Sequence, residues 1–159
     1  MPISNNFHIV HDPNNPTAVQ PHVIELRQNG PRVNVEISIT DTLASVYQQD
    51  NKEIPNPHTG KALIDTGASM TAVDKTIINS LGLSPIGVTK VFTPSGEAEQ
   101  ELYPAKLSFP GIAGLTINFN SVLCSDLSNQ GIAALIGRDV LTSFVLIYNG
   151  LGAYFTLAF

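Results

Sequence analysis

A chain of 159 residues can bury one substantial core but is too short for two ordinary domains. Hydrophobic residues make up 43%, a globular composition, while 8 Lys+Arg against 13 Asp+Glu leave a net charge of −5. Cations this sparse cannot form the basic stripe that nucleic acid requires or bind an anionic membrane surface, so neither partner is expected. One cysteine, Cys124, can close no intramolecular disulfide and no cysteine-based zinc cluster. The first residues show no basic or apolar signal-peptide region, and no apolar run approaches the roughly 18 residues that span a bilayer. The expected location is therefore cytoplasmic.

In chain order, residues 1–20 read as a flexible tail, since Asp12-Pro13-Asn14-Asn15-Pro16 is turn chemistry with no periodic pattern behind it. Residues 21–159 form the expected single domain. Val33, Val35, Ile37 and Ile39 alternate with polar residues, the pattern of a half-buried strand. From about 41 to 60 the pattern breaks at asparagines and prolines and suggests a solvated loop or a hairpin extension. Lys61 to Ile64 is a short buried strand running into Asp65-Thr66-Gly67. One helix follows: Asp74 caps it, Ile77, Ile78 and Leu81 form its apolar face, and Gly82 takes the position after its end. Further strands are expected over 88–93, 102–109, 115–123, 133–136, 144–148 and 154–159. The fold class is mostly β, a closed, barrel-like sheet with one short helix.

The chemistry concentrates in Leu63-Ile64-Asp65-Thr66-Gly67-Ala68-Ser69. A buried strand delivers a carboxylate at its end, Gly67 allows a sharp turn, and small residues leave space beside the acid. This segment resembles the active-site loop of the retropepsin-like aspartic proteases, the retroviral and retroelement type. The second landmark of that family is similar to Ala134-Leu135-Ile136-Gly137-Arg138-Asp139-Val140-Leu141. A candidate hairpin separates the two, and the resemblance covers roughly residues 30 to 159.

The resemblance implies an endopeptidase with Asp65 as the catalytic residue and no metal or organic cofactor. Such enzymes place two carboxylates a few ångströms apart to share one proton, and the pair titrates as a unit. One Asp-Thr-Gly per chain then implies a homodimer, with Asp65 of each copy meeting on a two-fold axis. Thr66 would reach across that axis, and Gly67 would present backbone groups to an extended peptide. Leu135, Ile136 and Gly137 would pack on the catalytic loop, and Arg138 would make a buried ion pair supporting the dimer. Where retroviral members commonly carry Asp, this chain has Ser69, so Arg138 needs another partner, Asp139 or a residue of the second copy. Ala68, Met70 and Val73 are the candidate subsite residues. Pro94, Ser95, Gly96 and Glu97 form the expected tip of a flap closing over substrate.

Other features read more plainly. His8, His11 and Asp12 have metal-compatible spacing but sit in a segment that reads as solvated. Cys124 has no activating neighbour in sequence, and Asp74 reads as a helix cap. The apolar C-terminal hairpin ends in a strand with no charge to protect an edge, which lies inside the fold or pairs with a second copy, the favoured reading. The rival to an enzyme is a non-catalytic dimeric module that keeps the protease fold and binds peptides or partners.

Overall fold

Strands, several of them on alternating apolar residues, take up nearly half of the chain. The computed structural model describes residues 3–7, 9–12, 15–93, 96–112 and 114–158. Strands β1 (Ile3–Phe7), β2 (Ile9–Asp12) and β3 (Asn15–Pro21) precede helix α1 (Val23–Asn29), β4 (Arg32–Ser38) and helix α2 (Asp41–Gln49). Next come β5 (His58–Ile64), β6 (Ala72–Asp74), helix α3 (Lys75–Ser80), and β7 (Gly87–Thr93), β8 (Gly96–Ser108) and β9 (Thr116–Ser125). After a short 3₁₀ helix (Ser128–Gln130), the chain ends in β10 (Ala134–Ile136), helix α4 (Arg138–Leu141), β11 (Val145–Asn149) and β12 (Tyr154–Ala158).

Seven strands form the main sheet in the order β4-β5-β10-β6-β9-β8-β7. A further antiparallel pairing, Glu36↔Ser108 to Ser38↔Lys106, joins β4 to β8, so the sheet closes on itself with β7 attached outside the ring. The alternating residues Val33, Val35, Ile37 and Ile39 are all buried and join Ala105, Leu107, Val122 and Ile136 in the core. The mostly β, closed architecture is as expected.

The helix content is not. Among the described residues, four α-helices occur where one was expected. The 41–60 segment read as a loop opens with α2, whose N-terminus is capped by the Thr40 hydroxyl accepting from the Leu43 N–H at 3.3 Å. Leu43, Ala44 and Tyr47 lean on the core from this helix, leaving no fully buried residue to advertise it. Asp41 ties its start to the ring through Lys106 at 2.7 Å and Asn118 at 2.8 Å. The Lys106 bond is the main reason the Asp41 carboxyl is held below its ordinary range, with Asn118 adding to it.

The N-terminal segment expected as a tail supplies β1, which pairs antiparallel with β12 from Ile3↔Ala158 to Phe7↔Tyr154. Strand β12 is the middle of a three-stranded sheet, between β1 and β11, with Phe155 and Leu157 buried. Both its edges are therefore filled within the chain, so of the two places expected for the last strand, inside the fold or against a second copy, it takes the first and not the favoured second. The open edges of this sheet belong to β1 and β11 instead.

Candidate active site

Three strands of the ring set up the acidic loop. Ile64 pairs in parallel with Ile136 across β5 and β10, while β10 pairs antiparallel with β6 on its other side. The Asp65 N–H extends this ladder by one bond, donating to the Ile136 carbonyl at 2.9 Å. Asp65 thus emerges from a fixed strand end, and the chain must turn there. Its carboxylate makes the turn: Oδ1 accepts the Gly67 N–H at 2.8 Å and the Ala68 N–H at 3.3 Å. Two donors on one oxygen orient the carboxylate, and its other oxygen carries no bond to another described residue. Asp65 is half-buried, while Thr66, Gly67 and Ser69 stand exposed.

The second landmark lies directly on this loop. Successive N–H groups at the start of α4, which have no partner inside a helix, are used by it. Arg138 N–H donates to the Ala68 carbonyl at 2.9 Å and Asp139 N–H to the Ser69 carbonyl at 3.3 Å. Gly137 packs against the Met70 peptide, where a Cβ would stand 2.5 Å from the carbonyl carbon. Ile136 is buried and Leu135 half-buried. Sequence-distant residues 65–70 and 135–139 are therefore one constellation.

In the single chain these residues take partners of their own. Arg138 is exposed there, and its guanidinium donates to the carbonyls of Thr66 at 2.8 Å and Gly67 at 3.0 Å. Asp139 is not its partner. The Asp139 carboxylate turns the other way, accepting from the Thr71 N–H and hydroxyl, both at 2.8 Å. Gly67 has both backbone groups engaged inside the chain, by Asp65 and Arg138. Val73 cannot line a subsite, since β6 places it in the core at 0% exposure. Ala68 and Met70 are half-buried.

Gly96 and Glu97 begin β8, which pairs with β7 out to Thr93↔Gly96 as a long hairpin. Lys90 and Glu97 meet across it at 3.5 Å, and Phe92 near its end is 85% exposed. Pro94 and Ser95 lie outside the described residues, as does His8 of the His8/His11/Asp12 set.

Thr71 is the functional-site residue that sequence reasoning missed. It is fully buried, and its hydroxyl both donates to Asp139 and accepts the Gly137 N–H at 3.2 Å. A threonine directly after Met70 carries no local signal for this, because its partners lie in another segment. Asp74, by contrast, is the cap that the sequence suggested. Oδ1 accepts from the Thr76 N–H at 2.9 Å and from the Thr76 hydroxyl, and Oδ2 from the Leu127 N–H at 2.8 Å. Burial pushes its carboxyl up, but these donors outweigh burial and hold it below the ordinary range.

A family model described as aspartyl protease matches residues 53–140, which spans both landmarks and more than half of the chain. The chain belongs to the aspartyl protease family. That membership agrees with the resemblance carried by Asp65-Thr66-Gly67 and Ile136-Gly137-Arg138. Among solved structures, this aspartyl protease family member is similar to a retropepsin-like aspartic protease from Rickettsia conorii: 14% identity, 98% of this chain and 90% of that one, TM-score 0.49. It is also similar to the EIAV protease complexed with the inhibitor HBY-793: 22% identity, 54% of this chain and 76% of that one, TM-score 0.40. A third is the retroviral protease-like domain of Ddi1 from Leishmania major: 18% identity, 75% of this chain and 82% of that one, TM-score 0.37. No curated protein matches the sequence. No helix among the described residues is long and apolar enough to cross a membrane.

Proposed function

We propose that the protein is an aspartic endopeptidase that works as a homodimer, with Asp65 from each copy forming the catalytic pair. The observation that supports this reading is a single oriented carboxylate, that of Asp65, on the loop of each chain. It stands at a fixed strand end, and in the loop beyond it Thr66, Gly67 and Ser69 are exposed, with the Thr66 and Gly67 carbonyls held by the Arg138 guanidinium. A lone carboxylate cannot serve as base and acid at once. Two that approach closely cannot both be ionised, so one keeps a proton. The ionised partner takes a proton from water, which attacks the scissile carbonyl while the protonated partner polarises the carbonyl oxygen. The tetrahedral intermediate then collapses as the amine leaves with a proton from the pair.

The substrate class is an extended peptide, bound as a strand by main-chain hydrogen bonds. The β7–β8 hairpin is the flap in this reading, closing over the peptide to exclude water. The test compares wild type with Asp65→Asn on a denatured protein substrate across about pH 3 to 7. Cleavage by the wild type alone is expected, together with dimerisation by sedimentation and binding of a hydroxyl-bearing transition-state mimic. Equal inertness of both proteins, with no binding of the mimic, would leave a peptide-binding module. A fully active monomer would sink the shared-dyad mechanism.

A further inference from the structure

The loop that carries Asp65 is fastened at its start by the Asp65 N–H on the Ile136 carbonyl. Its far end is held by the Arg138 and Asp139 N–H groups on the Ala68 and Ser69 carbonyls, at 2.9 and 3.3 Å. The segment that supplies those donors is tied in turn to Thr71 by a directed chain of hydrogen bonds. The Gly137 N–H can only donate, so the Thr71 oxygen accepts from it, at 3.2 Å. The Thr71 hydroxyl has one proton, which it gives to Asp139 Oδ1 at 2.8 Å. Asp139 Oδ2 accepts the Thr71 N–H at 2.8 Å, and Oδ1 also accepts the Val140 N–H at 3.0 Å. The Thr71 carbonyl is bound as well, by the Leu123 N–H at 3.0 Å. Every polar group of a fully buried threonine is thereby committed, and each bond fixes the next.

We infer that Thr71 and Asp139 are the positioning pair for Asp65, holding the loop from 65 to 70 at its far end so that the carboxylate faces its partner. The inference rests on the protease reading above and deepens it. Neither residue touches the carboxylate, so both act through the loop. A small misplacement of a reacting group costs rate far more than it costs binding.

The experiment uses Thr71→Val, which keeps the shape and removes the hydroxyl, Asp139→Ala, and Thr71→Ser, which restores donor and acceptor. With a peptide that the wild type cuts, Thr71→Val and Asp139→Ala are expected to lower kcat by about 10- to 100-fold with KM near wild type, and Thr71→Ser to recover most of it. A second readout needs no turnover: the movement of the Gly67 amide resonance as the Asp65 carboxylate titrates, followed by NMR. It is expected to be damped in Thr71→Val and Asp139→Ala and kept in Thr71→Ser. Folded variants with wild-type kcat, or a fall in kcat with an unchanged Gly67 titration, overturn the positioning role. If Thr71→Val does not fold, Asp139→Ala against Thr71→Ser decides in the same way. If wild type and Asp65→Asn are equally inert, the protease reading fails, and the Gly67 titration still decides for or against the pair.

Discussion

Gly137 and Met70 touch backbone to side-chain space: a methyl group on the Gly137 Cα would stand 2.5 Å from the Met70 carbonyl carbon and 2.6 Å from its oxygen. The Gly137 φ of −85° and ψ of −178° suit any residue, so glycine is required here by space and not by conformation. Because the obstacle is main chain, no rotamer change relieves it. Gly137→Ala is expected to destabilise the fold by about 1–3 kcal/mol or more, read from urea unfolding. It should also part the two landmark segments and abolish any activity that depends on Asp65. A variant as stable as wild type would show that these segments separate freely.

Asp74 gives a pH-dependent prediction. Its carboxyl is held below its ordinary range when folded, so its charged form contributes stability above the unfolded value of about 4. That contribution is lost as pH falls through the lower folded value. Asp74→Ala removes the cap of α3 and leaves the buried Leu127 N–H without its acceptor, together costing about 2–4 kcal/mol near neutrality. Unfolding curves of the two proteins should converge as pH drops below about 4. A gap that stays constant to pH 2 would assign the loss to packing alone.

These residues also show what a sequence discloses. Helix α3 is legible because its signals are local: cap, apolar face and terminal glycine lie within nine consecutive positions, and Gly82 takes the expected left-handed φ of +64°. Helix α2 hides because Leu43, Ala44 and Tyr47 are only half-buried and prolines follow soon after. Strand β1 has no pattern of its own, since its partner is the last strand of the chain. At the site, Asp65-Thr66-Gly67 and Gly137 are legible as motifs. The partners of Asp139 and Arg138 are not, because two carboxylate oxygens and five guanidinium protons accept many neighbours, and only the fold selects among them.

Asp65→Asn separates catalysis from architecture. The asparagine oxygen can still accept the Gly67 and Ala68 N–H groups, so the loop keeps its shape. Stability is expected to stay within about 1 kcal/mol of wild type while peptide cleavage disappears. Asp65→Ala removes that acceptor and should cost more stability than the asparagine variant. Unfolding midpoints measured beside cleavage rates give both readouts on the same samples.

Phe92 tests the hairpin as a flap. A phenylalanine that is 85% exposed near the end of a long antiparallel hairpin leaves most of its apolar area in water, where it gains nothing for the free chain. Closing over a bound peptide would bury it, so its burial would count in the complex and not in folding. Phe92→Ala is therefore expected to leave the unfolding midpoint unchanged while lowering kcat/KM by about 5- to 30-fold, as loss of one buried aromatic contact of 1–2 kcal/mol would. The cross-strand pair Lys90–Glu97, exposed on both sides, should contribute little to either quantity and serves as the internal comparison. If Phe92→Ala and Lys90→Ala behave alike in cleavage, the hairpin is not the element that closes on substrate, and another segment must cover the peptide.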